Sequence, residues 1–365
     1  MKAILLRYRG IIAGLIIGIL AALLAFGGNP KNMGFCIACF LRDTSGALGL
    51  HRSEGVQYFR PEIAGLTLGA FAMAFLRKER QSRAGSSPLS RLLLGISVMV
   101  GCLMFLGCPF RAILRLAGGD LNALLGLGGF VVGILGGVFF LTKGFSLRPS
   151  QRQTALEGYW PSVLLGLGLI LACIPGIFFA TPAGKGPGAM HAAIGLSLLA
   201  GLLVGGLAQR VRLCMIGGIR DLALFREWKL LLVFLAVGLG ALLTNLILTA
   251  AGAGSYFQLG FTGQPVAHAD GLWNFLGMAL AGLASVLLGG CPMRQIVMMA
   301  EGNGDSAITV VGLLIGAGLC HNFNLASSPK GPTANGKLAV IVLFLLVLGI
   351  AIYNSYFRQK IEAKE

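Results

Sequence analysis

The sequence predicts an all-α integral membrane protein with about ten membrane-spanning helices, arranged as two inverted-topology repeats. Three observations lead to this fold class: the apolar composition, a series of long uncharged segments, and two cysteine signatures that each occur twice. Of the 365 residues, 56% are apolar and only 12% are charged. A soluble core of this length cannot cover so much apolar surface, so the chain belongs in a bilayer.

Ten segments are long and apolar enough to cross the bilayer. In chain order they cover residues 10–28, 60–77, 90–108, 122–142, 159–180, 189–210, 229–251, 272–290, 306–322 and 337–357. Two of these spans carry glycines at every fourth position, namely Gly10, Gly14 and Gly18, and Gly129, Gly133 and Gly137. This spacing allows membrane helices to approach one another backbone to backbone.

The net charge of +16 is placed in the short connections between the spans. This placement is typical of topology determinants in a membrane protein, and it argues against nucleic acid as a partner. The basic connections alternate with poorer ones; residues 252–271 contain no Lys or Arg. Both termini are therefore predicted to be cytoplasmic. The basic residues assigned to that side include Lys2, Arg7, Arg9, Arg77, Lys78, Arg80, Arg83, Arg91, Lys143, Arg148, Arg152, Arg210, Arg212, Arg226, Lys229, Arg358, Lys360 and Lys364.

The two cysteine signatures recur in the same order. Cys-x5-Arg-Asp occurs at Cys36–Asp43 and Cys214–Asp221, and Gly-Cys-Pro-x-Arg with a later Asp occurs at Gly107–Asp120 and Gly290–Asp305. The separation of the two cysteines is 72 residues in the first half and 77 in the second. We therefore predict a first repeat (1–150), a linking span (151–188), a second repeat (189–330) and a C-terminal helix with a cytoplasmic tail (331–365).

Equivalent points of the two repeats are an odd number of crossings apart, so the repeats are predicted to be inverted. Inverted repeats are common in transporters, in which broken helices form the substrate site near the midplane. Following the topology, Cys36 and Cys108 approach from the external side and Cys214 and Cys291 from the cytoplasmic side. The expected shape is an hourglass, with two funnels that meet at a narrow point.

Gly-Cys-Pro is a signal for the start of a helix, because Pro is tolerated in the first helical turn. The sequence thus predicts short helices over 109–117 and 292–301 that dip back into the membrane without crossing it. A helix N-terminus offers free N–H groups and a partial positive charge, so it binds anions and favours thiolate over thiol. Cys108, Cys291, Cys36 and Cys214 are therefore predicted to line a substrate path, whereas Cys102, Cys173 and Cys320 are interpreted as packing residues.

Arg111 and Arg294 each follow a matched cysteine by three residues, at a depth where a charge costs about 2.5–3.5 kcal/mol or more. Such side chains face a cavity or a counter-ion. The candidate counter-ions are Asp120 and Asp305, or the pairs Arg42–Asp43 and Arg220–Asp221. Structural pairing is favoured for the aspartates, because an anion path gains nothing from exposed carboxylates.

Neither a metal nor a cofactor is expected. Cys36 and Cys39 form an isolated C-x-x-C whose second cysteine corresponds to Gly217, which argues against zinc. A disulfide between Cys36 and Cys39 is left open. The chain carries no phosphate-binding Walker loop, so ATP hydrolysis is not supported.

The motifs also resemble a known family. The segments that carry the likeness are 32–43, 49–52, 106–109, 116–123, 289–292 and 301–303. They are similar to the YedE-related selenium metabolism membrane proteins, a branch of the YeeE/YedE family whose best understood members take up thiosulfate. The resemblance covers essentially the whole chain and is weakest at the linking span. It implies a transporter of the bacterial inner membrane, surrounded by lipid and often paired with a soluble sulfur-carrier protein on the cytoplasmic side.

In the thiosulfate members, the resemblance implies, cysteine S–H groups pass the anion along a narrow path. Carried over by motif, this role falls on Cys108, Cys291 and Cys36, and Cys214 acquires it through the internal repeat. Neutral donors conflict with the thiolate that a helix N-terminus favours. We side with protonated thiols, which a low-dielectric environment maintains.

The main hypothesis is a non-enzymatic permease that imports a small selenium- or sulfur-containing anion, with a selenium compound preferred. Thiosulfate uptake is the alternative. Two rivals from other classes are a membrane-embedded thiol enzyme with a persulfide-like intermediate, and a membrane anchor for a sulfur-carrier protein. No redox cofactor motif accompanies the cysteines, which argues against the enzyme.

Overall fold

The computed structural model describes the backbone of residues 2–357 and the side chains of residues 8–356. Within these bounds the chain is mostly helical and contains almost no sheet. The α-helices are α1 (Lys2–Phe26), α2 (Ile37–Ala47), α3 (Pro61–Leu76), α4 (Pro88–Phe105), α5 (Pro109–Ala117), α6 (Asn122–Thr142), α7 (Ala155–Ala172), α8 (Ile194–Val211), α9 (Met215–Phe225), α10 (Lys229–Ala250), α11 (Gly271–Leu287), α12 (Pro292–Ala300), α13 (Gly304–Asn322) and α14 (Ala334–Ile352). Two antiparallel two-residue strands, β1 (Arg83–Ala84) and β2 (Gln151–Arg152), connect two of the loops.

The described residues contain ten segments long and apolar enough to span a membrane, which confirms the predicted number. The chain is therefore a multi-pass membrane protein. Helices α5 and α12 lie where the Gly-Cys-Pro signatures predict short helices. The linking span is shorter than predicted: α7 ends at Ala172, because Pro175 and Gly176 follow and Gly176 has a φ of +84°. The predicted cytoplasmic residues Arg358, Lys360 and Lys364 lie outside the described residues.

The most extensive packing occurs between the repeats and is reciprocal. Helix α1 packs on α10 as α8 packs on α3, and α6 packs on α11 as α13 packs on α4. The short helices repeat this exchange, since α5 contacts α10 and α12 contacts α3. Helices α4 and α11 pack on each other at the centre. This reciprocity is what two equivalent, interlocked repeats require, and it supports the predicted duplication.

Glycines permit the close approach of the interlocked helices. A Cβ built on Gly18 would overlap the carbonyl oxygen of Val237 in α10, and one built on Gly133 would overlap that of Ala279 in α11. Both glycines belong to the four-residue series identified in the sequence, so the predicted backbone contact is confirmed.

Two loop pairings close the ends of the short helices. On the side predicted to be external, Gln258 and Gly260 donate N–H groups to the carbonyls of Gly118 and Gly119, at 2.9 and 3.0 Å. On the opposite side, Gln81 N donates to Glu301 O at 3.1 Å. The loops that follow α5 and α12 are therefore held in equivalent ways, each by a loop of the other repeat.

The glycine contacts predict a difference in stability between two alanine variants. Gly133→Ala forces α6 away from α11, and we expect it to destabilise the protein by about 1–3 kcal/mol. Gly349 in α14 serves as the matched control, because nothing lies within 4 Å of a Cβ built there. Gly349→Ala should be neutral or stabilising by about 0.5–1 kcal/mol. Thermal unfolding of both variants in detergent checks this, and equal melting temperatures would contradict the packing described.

Candidate functional site

All four matched cysteines occupy the N-cap position of a short helix. Cys36 caps α2 and Cys214 caps α9, while Cys108 caps α5 and Cys291 caps α12. The start of α5 and of α12 was predicted from Gly-Cys-Pro, and Pro occupies the first turn of both helices. The caps at Cys36 and Cys214 were not predicted, because cysteine is not among the usual N-cap residues.

The thiols of Cys36 and Cys214 act as cap acceptors. Cys39 N donates to Cys36 Sγ at 3.4 Å, and Gly217 N donates to Cys214 Sγ at 3.3 Å. Only a backbone N–H is needed at this third helical position, which explains why Cys39 and Gly217 can be equivalent. The sulfur atoms of Cys36 and Cys39 lie 2.8 Å apart, and both cysteines are free thiols.

The structure brings the four cysteines together as two pairs, one in each repeat. The Cys36 thiol lies close to that of Cys108, and the Cys214 thiol lies close to that of Cys291. We call these the outer pair and the inner pair. All four residues are buried. Among the described residues no hydrogen bond joins the outer pair to the inner pair, although α2, which Cys36 caps, contacts α12, which Cys291 caps.

Each pair lies between the N-termini of two helices. In the outer pair, the Cys108 thiol lies near the backbone N–H groups of Arg111 in α5 and Ala38 in α2, although it makes no cap hydrogen bond to α5. In the inner pair, the Cys291 thiol likewise lies near the backbone N–H groups of Arg294 in α12 and Met215 in α9. The two short helices of each repeat thus direct their positive ends at one point.

The protonation state of Cys36 follows from its surroundings. Burial raises the pKa of the Cys36 thiol to about 12, and the role of Cys36 as donor toward Cys108 acts in the same direction. Cys36 therefore stays neutral at physiological pH and is able to donate a hydrogen bond. For Cys36 alone, this is the protonation state that the sequence analysis preferred.

Arg111 is fully buried, and among the described residues it forms no ion pair with a carboxylate. Its guanidinium instead donates to the Sγ of Cys39 and to backbone carbonyls, those of Asn32, Leu106, Pro265 and Val266. Carbonyl dipoles stabilise the cation without cancelling its charge. A net positive charge thus remains beside the outer pair.

Arg294, the counterpart of Arg111, is partly open to solvent. It forms a bidentate pair with Glu301, at 3.1 and 3.3 Å. It also lines a cavity of about 350 Å³ together with Arg83, Arg212 and the carboxylates of Glu79 and Glu301. Because Arg212 and Arg294 stand two and three residues from Cys214 and Cys291 in the sequence, this cavity lies next to the inner pair. We call it the arginine vestibule.

The predicted counter-ions have other partners. Asp120 pairs with Arg115 at 2.6 Å instead of with Arg111. Asp305 accepts hydrogen bonds from the loop N–H groups of Gly85 and Ser86, both at 2.9 Å, instead of pairing with Arg294. Both aspartates therefore have the structural role that the sequence analysis favoured, but for partners it did not identify.

The Arg-Asp pairs of the two repeats differ in burial. Asp43 is completely buried and bridges Arg42 and Arg60, each at 2.7 Å. Arg60 also donates to the carbonyls of Pro187 and Met190. Arg220 and Asp221 pair at 2.8 Å with side chains 31% and 20% exposed. Sequence reasoning missed Arg60 and Arg115, although a basic residue on the side poor in positive charge was an available signal for both.

The three cysteines interpreted as packing residues do not behave alike. Cys102 and Cys320 are buried in the core, as expected. Cys173 is exposed at the end of α7, where its Sγ donates to Leu169 O at 3.6 Å. None of the three belongs to the two thiol pairs.

Comparison with known proteins adds one finding. Residues 210–362 match the family model described as sulphur transport. The matched region begins just before the inner-pair residue Cys214 and runs through α14, so it includes Cys291, Arg294 and Asp305. No curated protein matches the chain at a significant level.

The two Arg-Asp pairs predict unequal effects of the same substitution. Asp43→Asn leaves the buried Arg42 without a counter-ion and Arg60 with only the carboxylate of Glu62, at 4.0 Å, and we expect a loss of about 3 kcal/mol or more in stability. Asp221→Asn, the matched control, should cost less than about 1 kcal/mol because its pair is partly solvated. Thermal unfolding in detergent measures both effects. A larger loss in Asp221→Asn would show that the burial of Asp43 is not what makes it important.

Proposed function

We propose, from the match of residues 210–362 to the sulphur transport family model, that the two thiol pairs of this chain form the anion path of a permease. This match supports a membrane transporter for sulfur compounds. The finer proposal is that the protein imports a small selenium- or sulfur-containing anion, and that Cys36, Cys108, Cys214 and Cys291 are successive contacts for it.

The observation that carries this proposal is the equivalence of the two thiol pairs. Packing alone does not explain why each repeat buries two thiols at the converging N-termini of two short helices. An anion leaving water needs hydrogen-bond donors that do not hold a competing negative charge. Neutral thiols and free helix N–H groups supply such donors. The arrangement thus suits a small oxyanion that carries a polarizable sulfur or selenium atom.

Positive charge accompanies each pair and supports a direction of entry. The buried Arg111 retains a net charge beside the outer pair, and the arginine vestibule opens beside the inner pair. An anion that has passed both pairs meets a solvated cavity with three arginines and two glutamates, where its charge is screened. We propose that the vestibule is the exit on the cytoplasmic side, and that the protein resides in the bacterial inner membrane with both termini in the cytoplasm.

We further propose a selenium compound as the preferred substrate and thiosulfate as the alternative. The preference comes from motifs of the first repeat, Asn32–Asp43 above all, which resemble the selenium-associated branch. These motifs precede the region that matches the sulphur transport family model. A soluble sulfur-carrier protein at the cytoplasmic face is a compatible partner, since it would receive the substrate at the vestibule.

Uptake into liposomes that contain only the purified protein tests the proposal. We expect labelled selenite to enter faster than labelled thiosulfate, and both to enter faster than into empty liposomes. Entry of neither compound would overturn the transport proposal, and faster entry of thiosulfate would overturn the selenium preference. A substrate atom retained covalently on Cys108 or Cys291 would instead favour the thiol enzyme.

In the same assay Cys291→Ser and Cys36→Ser should each reduce flux by at least about tenfold, because each removes a thiol contact to a charged substrate worth about 1.5–3 kcal/mol. Cys320→Ser and Cys173→Ser are the controls, one buried and one exposed, and both lie outside the pairs. Equal flux in all four variants would show that Cys36 and Cys291 do not contact the substrate along the path.

The sidedness of the two pairs is a separate expectation. In variants that retain a single cysteine, a small membrane-impermeant thiol reagent should reach Cys108 from outside and Cys291 from inside. The reason is that the proposed path enters at the outer pair and leaves at the inner pair. Labelling of both residues from the same side of sealed vesicles would contradict the inverted arrangement.

A further inference from the structure

A basic cavity lies at the N-terminal end of the linking helix α7, apart from the two thiol pairs. It has a volume of about 430 Å³, and none of the residues that line it is Asp or Glu. Its polar lining comes from Arg80, Arg83, Arg152, Gln81, Gln153 and Tyr159. Among the described residues none of the three arginines forms an ion pair. The cavity therefore concentrates positive charge that the protein itself does not neutralise.

The backbone places two of these arginines directly opposite each other. In the β1–β2 pair, Arg83 is the register partner of Arg152. The ribbon is held by hydrogen bonds from Gln153 N to Ser82 O, at 3.0 Å, and from Ser82 Oγ to Thr154 O, at 2.7 Å. Like charges directly opposite in a strand pair are destabilising. An anion between the two side chains removes that repulsion.

The third arginine is held in position but keeps donors free. The guanidinium carbon of Arg80 lies 3.6 Å from the ring centroid of Tyr159 and 4.6 Å from that of Phe71. Arg80 Nε is buried and has no hydrogen-bond partner among the described residues. A guanidinium fixed by stacking, with unused N–H groups, suits the recognition of a phosphate.

The cavity is flanked by apolar side chains that the protein leaves uncovered. At the start of α7, Leu156 is 74% and Trp160 is 59% exposed; at the end of α3, Leu76 is 76% exposed. Exposed leucines face acyl chains in a bilayer, and Trp is typical of the membrane interface. The cavity thus lies where a headgroup and its chains meet, on the side predicted to be cytoplasmic.

We propose that this cavity binds the phosphate of an anionic phospholipid headgroup, with the acyl chains lying along α3 and α7. Basic pockets between membrane helices on the cytoplasmic side are suited to anionic headgroups. Because Arg83 and Gln81 line both this cavity and the arginine vestibule, the bound headgroup also orders the wall that the two share. Free phosphate has the same recognition chemistry and is distinguished by experiment.

The test uses the purified full-length protein in neutral detergent. Thermal unfolding and native mass spectrometry are recorded with added phosphatidylglycerol, phosphatidylcholine or inorganic phosphate. The variant is Arg80→Gln/Arg83→Gln/Arg152→Gln, and the charge-matched control is Lys143→Gln/Arg148→Gln/Arg226→Gln, whose three residues are exposed elsewhere. We expect phosphatidylglycerol to bind and stabilise the wild type and the control, and to bind the variant at least about tenfold more weakly.

Each other outcome decides against the proposal. Equal retention of phosphatidylglycerol by the variant and the control, or equal binding of phosphatidylcholine, would show that the cavity does not select an anionic headgroup. Stabilisation by inorganic phosphate alone would assign the cavity to a free anion instead of a lipid. Should the triple variant fail to fold, Arg152→Gln alone provides the same comparison, since Arg152 is exposed on the ribbon.

Discussion

Four helices of this protein begin in its interior, and the rest of the candidate site depends on how their first N–H groups are satisfied. An unpaired buried N–H group costs several kcal/mol in a bilayer, so each helix start needs an acceptor. A cysteine stands at each of these four positions, and the thiols of Cys36 and Cys214 accept a helix N–H. Because a thiol is a weak acceptor, the helix ends keep part of their positive potential. Structural capping and attraction of an anion are thus two effects of one arrangement.

Much of the fold follows from local rules and was predictable. The number of spans depends on segment length and hydropathy. The short helices start at Pro109 and Pro292, and the close packing at Gly18 and Gly133 depends on the absence of a side chain. The end of α7 was misplaced because hydropathy continues past Ala172, whereas the backbone is interrupted at Pro175. The pairing of side chains was harder to predict from the sequence. The partners of Asp120 and Asp305 come from a choice among neighbouring arginines and loop amides that only the folded chain presents.

The candidate site was likewise only partly predictable from the sequence. Repetition identified the four cysteines, but not that they form an outer and an inner pair. Nor did it show that Arg111 and Arg294, identical in sequence context, differ in environment. The difference comes from the loops: the carbonyls of Pro265 and Val266 enclose Arg111, whereas the loop near β1 leaves Arg294 in the vestibule. Equivalent repeats thus enclose one of the two matched arginines and leave the other accessible to solvent.

The reciprocal packing of the long helices restricts how the protein can move. Since α1 and α3 of the first repeat lie on α10 and α8 of the second, while α4 and α6 lie on α13 and α11, neither repeat is a separate rigid body. Rocking one half against the other would break most of the interior at once. In the proposed permease, passage of a substrate would then rely on small local displacements of α2, α5, α9 and α12, within a frame that stays still. Such a mechanism is closer to a narrow selective pore than to alternating access by two rocking halves.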